Sequence, residues 1–270
     1  MFNKFKEIWD SVSHSIYQSN YTNRIGDEIQ CTALYKYIKS KNINIDYKDS
    51  NTHISALSLF PDNLVRFLPD NINSNPNVNF INLWIWSPFL SKNGFYTESQ
   101  YKYNESEIQY DCVFIPCLSP EYNTPRAINN PQELFYALRS KFKDTICVID
   151  SEKKNLFPLN DKNVVYSDDI HTTFKYIQKS KYYVGCDTGT SHYAGSINHP
   201  RMILLYPDET EVRERISWQK DIVKFIFNVP EIMDYEPSTI PCCNPDNYQI
   251  ITINQTVDPK NLLQKIKQIF

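Results

Sequence analysis

Val184-Gly185-Cys186-Asp187-Thr188-Gly189-Thr190-Ser191-His192-Tyr193-Ala194-Gly195 holds three of the five glycines in a chain of 270 residues. A typical protein is about 7% glycine, so this chain uses the residue only where a side chain would be intolerable. The apolar stretch Ser180-Lys181-Tyr182-Tyr183-Val184 stops at Gly185, and a second, Met202-Ile203-Leu204-Leu205-Tyr206, stops at Pro207. The order reads as strand, polar turn, short helix over 190–197, and strand. In an open α/β sheet, ligands bind at the carboxyl ends of the strands. The N–H groups and hydroxyls of Thr188, Gly189, Thr190 and Ser191 at a helix N-terminus suit phosphate. His192 adds a donor that can become cationic near a diphosphate. The same residues also fit a plainer role, with Asp187 or Thr188 capping the helix and His192 packed beneath it.

Working outward, apolar and amphipathic segments alternate. Cys112-Val113-Phe114-Ile115-Pro116, Thr145-Ile146-Cys147-Val148-Ile149 and Val164-Val165-Tyr166 read as strands, with helices at about 131–142 and 169–179. Strands alternating with helices predict a parallel, doubly wound sheet. Before residue 110 the pattern gives an amphipathic helix over 1–20, a helix over 27–40, a strand at 42–47, helical pieces between 53 and 68, and a strand at 79–86. Residues 88–110 are polar, rich in tyrosine and without clear period, and read as a linker or interdomain loop. After 206 come a charged stretch over 208–220, a strand at Val223 to Phe227, and a proline-rich segment. Cys242-Cys243, between Pro241 and Asn244-Pro245, reads as a loop near the surface. A last helix is capped by Asp258, with Pro259 in its first turn.

The hydrophobic fraction is 41%, and no apolar run approaches the roughly 18 residues of a membrane helix. The amino terminus lacks the apolar core of a secretory signal, which predicts a cytoplasmic protein, with peripheral association at a membrane left open. The 28 basic and 31 acidic residues, net −3, provide no global field for nucleic acid. Seven cysteines form no CxxC pair and no zinc-like spacing, and read as reduced, mostly buried thiols. Neither a metal nor a cofactor is expected.

With its surroundings, Asp187-Thr188-Gly189-Thr190-Ser191-His192 resembles the donor-site signature of the heptosyltransferase-like glycosyltransferases of family 9, which have the GT-B fold. That family carries Asp-(Ser/Thr)-Gly-x-x-His, a small-residue helix, a turn with proline and an apolar strand. Ala194, Gly195, Pro200 and Met202 to Tyr206 follow the same order here. A second similarity is Ile25-Gly26-Asp27, matching the family's (Ile/Leu)-Gly-Asp turn into a helix. A third is the strand 112–116 followed by the loop 118–130 with Arg126. The sequence departs from the family in lacking a clear apolar strand before Gly26 and in a shorter amino-terminal half.

The resemblance implies a GT-B-like α/β fold of two Rossmann-like domains facing each other across a cleft. The expected division is an acceptor-side domain over 1–110, a nucleotide-sugar-binding domain over 111–257 and a terminal helix over 258–270. It implies metal-independent, inverting transfer of a sugar from a nucleotide-diphosphate sugar to an acceptor hydroxyl. Asp27 is the implied base, with Glu28 as its rival and an N-cap as its alternative role. Arg126 would face the donor phosphates, and Asp187 would accept bonds from donor-sugar hydroxyls or orient the turn. Glu152, just after a strand, sits where a carboxylate would bind a ribose diol, or is simply solvated. The acceptor is expected to be a glycan, with a protein or a modified nucleic-acid base as alternatives. A nucleotide-sugar-binding protein that has lost transfer is the rival reading.

Overall fold

In a computed structural model, residues 25–41, 83–118, 126–217, 220, 224, 229–253 and 256–269 are described. The expected helices at 1–20 and between 53 and 68, and the expected strand at 42–47, lie outside the described residues, as does nearly all of the strand expected at Val223 to Phe227.

The described residues form an α/β fold around a six-stranded sheet. The strands are β1 (Tyr110–Ile115), β2 (Thr145–Asp150), β3 (Val164–Ser167), β4 (Ser180–Cys186), β5 (Met202–Pro207) and β6 (Tyr248–Ile253), in the order β3-β2-β1-β4-β5-β6. Every neighbouring pair is parallel, with Phe114 opposite Cys147 on one side and Val184 on the other. The order reverses between β1 and β4, and the crevice at the carboxyl ends of those strands is where such sheets take ligands.

Alternation along the strands builds the two faces. Cys112 and Phe114 on β1, Cys147 and Ile149 on β2, and Ile203 and Leu205 on β5 pack beneath helices α3 (Pro131–Lys141) and α7 (Pro259–Ile269). Their neighbours Val113, Ile115, Val148, Met202 and Leu204 turn to the other face, against α4 (Ile170–Gln178) and α5 (Gly189–Ser196). The helix starts are set by local chemistry: Asp169 accepts from Thr172 N at 2.8 Å, and Pro131 occupies the first turn of α3. The terminal helix buries Leu262 and Ile266 and packs on α3 and β6. A further short helix, α6 (Thr210–Ile216), follows β5.

A third apolar cluster joins α1 (Ile25–Ser40) to α2 (Leu83–Lys92). The strand expected at 79–86 is helical from Leu83 onward. Its apolar residues do not sort onto one strand face, because Ile85, Trp86, Phe89 and Leu90 are all buried in this cluster. Pro88 sits inside α2, where it cannot donate to the carbonyl of Trp84. That carbonyl instead accepts from Ser238 N at 2.8 Å.

The segment after α2 is tied down rather than running as a linker. Thr97 N donates to Cys242 O at 2.7 Å, Ser99 N to Ser196 O at 3.1 Å and Tyr103 N to Ile197 O at 2.9 Å. Cys242 and Cys243 are buried, not in a surface loop, because this strap and the end of α5 cover them. Cys242 Sγ donates to Phe95 O at 3.1 Å. Strand β6 has no counterpart in the sequence reading. Its run Tyr248-Gln249-Ile250-Ile251 is masked by the prolines and polar residues before it.

Candidate functional site

The turn after β4 stands at the point where the strand order reverses. Thr188 is the N-cap of α5 in extended conformation, with φ −148° and ψ 171°, and its side chain makes no capping bond. Its carbonyl accepts from Ser191 N at 3.1 Å and His192 N at 3.4 Å. The helix-start N–H groups still without an intrahelical partner are therefore those of Gly189 and Thr190. No acidic residue lies in the first turn of α5, so the positive pole of this helix is uncompensated by its own side chains.

The hydroxyls of the turn bond mainly within the protein. Thr188 Oγ1 lies 2.8 Å from Thr190 Oγ1, which lies 3.0 Å from the hydroxyl of buried Tyr183. Ser191 is fully buried, donating to Thr188 O at 2.8 Å and meeting Tyr206 Oη at 2.8 Å. The Tyr183 and Tyr206 phenols are pushed up by burial, so they remain neutral and serve as hydrogen-bonding struts. Gly185 makes the Tyr183 strut possible. A Cβ there would lie 2.1 Å from the Tyr183 hydroxyl, because the ring lies along β4 over residue 185 to reach Thr190.

Arg126 closes the other side. Its Nε stands 2.9 Å from Asp187 Oδ2 in an ion pair, with the Asp187 carboxylate buried and the guanidinium partly exposed. The guanidinium carbon also stands 5.9 Å from the Trp84 ring centroid. Asp187 thus anchors Arg126, and the outer N–H edge of the guanidinium is left free of ion pairs among the described residues. Cys117, after β1, donates its N–H to Cys186 Sγ at 3.2 Å, linking the two strand ends at the crevice.

His192 is 5% exposed, and burial, with the charge of Arg126 added, pulls its pKa down to about 3. The ring is therefore neutral at pH 7 in the ligand-free protein, because the short helix sinks it into the interior. Its Nδ1 is 3.1 Å from Gln30 Nε2 on α1, although the two residues are 162 positions apart.

That bond belongs to a close approach of two helices. A Cβ at Gly26 would lie 2.7 Å from His192 Cδ2 and 3.3 Å from Gly189 Cα, and one at Gly189 would lie 2.5 Å from Ile25 Cγ2. Gly26 thus meets Gly189, Gln30 meets His192, and Lys36 lines a cavity with Gly195 and Ser196. Helices α1 and α5 therefore run side by side in the same direction, with their N-terminal turns together. Asp27 and Glu28 follow Gly26 in the first turn of α1. The expected cleft between the Gly-Asp turn and the donor turn is filled, at this point, by direct backbone contact.

Glu152 is exposed on the helical turn Ser151–Leu156 after β2, where its N–H donates to Asp150 Oδ1 at 3.1 Å. None of its bonds reaches the 187–192 turn. Sequence reasoning did not single out Gln30, Tyr183 or Trp84. Signals existed for the first two: Gln30 lies four residues from Gly26 on one helix face, and Tyr183 lies two residues from Gly185 on one strand face. Trp84 offered none, because its position depends on how α2 packs.

No family model matches the chain, and no curated protein does. Among solved structures, a heptosyltransferase of E. coli, WaaC with ADP, is similar with a TM-score of 0.40 and 12% identity, covering 62% of this chain. The match spans 46% of that enzyme, so the chain corresponds to less than half of its length.

Proposed function

We propose that this chain transfers a sugar from a nucleoside-diphosphate sugar to an acceptor hydroxyl. The observation that carries the reading is the packing of Gly26 against Gly189 and His192. The two segments that resemble family 9 motifs are far apart in sequence, yet they meet at the switch point of a parallel sheet. Motifs matched by chance have no reason to share a surface.

In this reading the departing diphosphate is met by the N–H groups of Gly189 and Thr190 at the start of α5. The free edge of Arg126 binds a second oxygen. Preorganised donors of this kind contribute about 3 to 4 kcal/mol each where leaving-group charge develops. Asp27 takes the proton from the acceptor hydroxyl as that oxygen forms its bond to the anomeric carbon. The bond from that carbon to the diphosphate breaks on the opposite face, which inverts the configuration. The proton ends on the carboxylate and the electron pair on the nucleoside diphosphate.

The test is release of nucleoside diphosphate from a panel of nucleotide sugars, first without acceptor and then with candidate glycans. Asp27→Asn is expected to lower turnover by about 100-fold or more while nucleotide affinity is kept. Turnover that survives in Asp27→Asn and fails in Glu28→Gln moves the base to the next residue. Nucleotide binding without turnover on any donor overturns the transfer reading and leaves a binding protein.

A further inference from the structure

Gln30 is 1% exposed, and its Oε1 is buried without a hydrogen-bond partner, while its Nε2 faces His192 Nδ1 at 3.1 Å. A buried amide with one half unpaired is costly, and an apolar residue of similar size would avoid that cost at a helix contact. With the amide nitrogen turned to the ring, Gln30 donates and His192 Nδ1 accepts, an arrangement that places the ring proton on Nε2. Nε2 makes no bond among the described residues. The other buried histidine is different: His199 Nδ1 accepts from Arg201 N at 3.2 Å, and its Nε2 lies 3.1 Å from Ser180 O. Both nitrogens of His199 are used inside the protein, whereas His192 has one nitrogen occupied by Gln30 and one to spare.

We propose that Gln30 is a positioning residue that holds His192 in the tautomer protonated on Nε2, so that the donor turn meets its ligand with an uncharged N–H donor. The ligand half of this inference rests on the phosphate reading of the turn, and the tautomer half does not. An Nε2–H donor suits a phosphate or sugar oxygen, while the opposite tautomer would aim a lone pair at the same oxygen. The device also joins the two motifs. Gln30 lies on the helix that bears Asp27, so the donor turn is completed by a side chain from the far side of the helix contact.

The experiment is nitrogen-15 NMR of the histidine rings in the ligand-free protein at pH 7, with pyrophosphate and ADP affinities measured alongside. Wild type is expected to show His192 protonated on Nε2 alone. Gln30→Leu, close in volume and competent to fold in an apolar contact, is expected to give a mixture of tautomers and about 5- to 10-fold weaker pyrophosphate binding, the loss of about one oriented hydrogen bond. Gln30→Glu, whose carboxylate can only accept, is expected to move the proton to Nδ1 and weaken binding further. Protonation on Nδ1 in wild type, or one unchanged tautomer in both variants, overturns the role of Gln30. A tautomer that shifts while affinity stays constant overturns the ligand half. Absence of binding to wild type overturns the phosphate reading itself, and the ring spectra still decide the tautomer.

Discussion

Gly26→Ala tests whether the two motifs touch. In an isolated helix the change would help, since glycine costs about 1 kcal/mol relative to alanine in a helix interior, and less so near the first turn. Here the new Cβ would lie 2.7 Å from His192 Cδ2, when carbon atoms prefer about 3.5 to 4.0 Å. The ring must retreat by about 1 Å in a packed site, an overpacking cost of about 1 to 3 kcal/mol. The net expectation is destabilisation by about 1 to 2 kcal/mol, with loss of the Gln30 bond. Removing the ring should relieve most of this, leaving the milder 3.3 Å approach to Gly189 Cα. A double-mutant cycle of Gly26→Ala and His192→Ala, read by urea unfolding, is therefore expected to show about 1 kcal/mol or more of coupling. Stabilisation by Gly26→Ala, additive with His192→Ala, would refute the contact and remove the main support for the functional reading.

Other perturbations have equally definite signs. Gly185→Ala must displace the Tyr183 ring, since even its Cζ would lie 2.5 Å from the new atom; a loss of at least about 2 kcal/mol is expected, against about 1 kcal/mol for Tyr183→Phe, both read as urea midpoints. Arg126→Ala leaves the buried Asp187 carboxylate without its cation and should cost about 2 to 4 kcal/mol, while Asp187→Asn with Arg126→Ala should recover part of that. His192 and His199 both have pKa values lowered to about 3 by burial, against about 6.5 when unfolded. The unfolded chain then binds more protons between those values, so stability is full above about pH 6.5 and falls as the pH drops toward 3. At pH 5 the loss is about 2 kcal/mol for each ring, and His199→Gln should remove about half of the fall in unfolding free energy between pH 7 and pH 5.

The carboxy-terminal part of the fold is legible in the sequence because each of its elements is locally consistent. Val113 and Ile115 alternate with Cys112 and Phe114, Asp169 and Asp258 mark helix starts, and Pro207 ends β5. What misleads is context. Trp84 to Trp86 alternates like a strand, but α2 is buried on most sides and its proline is tolerated because Ser238 takes the freed carbonyl. Strand β6 is hidden by the polar residues before it, and Cys242 is buried by a strap whose composition looks like a linker.

The candidate site divides along the same line. The turn at 187–192 is legible from glycine and hydroxyl chemistry, since strand, turn and helix are adjacent in sequence. The charge state of His192 is not, because burial beneath α1 is a tertiary fact that sets its protonation. The pairing of Arg126 with Asp187 likewise joins residues 61 positions apart, a contact that no local pattern announces. Gly26 and Gly189 identify themselves as close-approach positions only when both helices are in view.

Binding of nucleoside diphosphates to the purified protein tests the central claim most directly, by calorimetry with UDP, GDP, ADP, CDP and the corresponding nucleosides. The account predicts that at least one diphosphate binds far more tightly than its nucleoside, and that Arg126→Ala abolishes the difference in a protein shown to be folded. Equal, negligible binding of all of them to the folded wild type would leave the 187–192 turn as a structural cap and contradict the account.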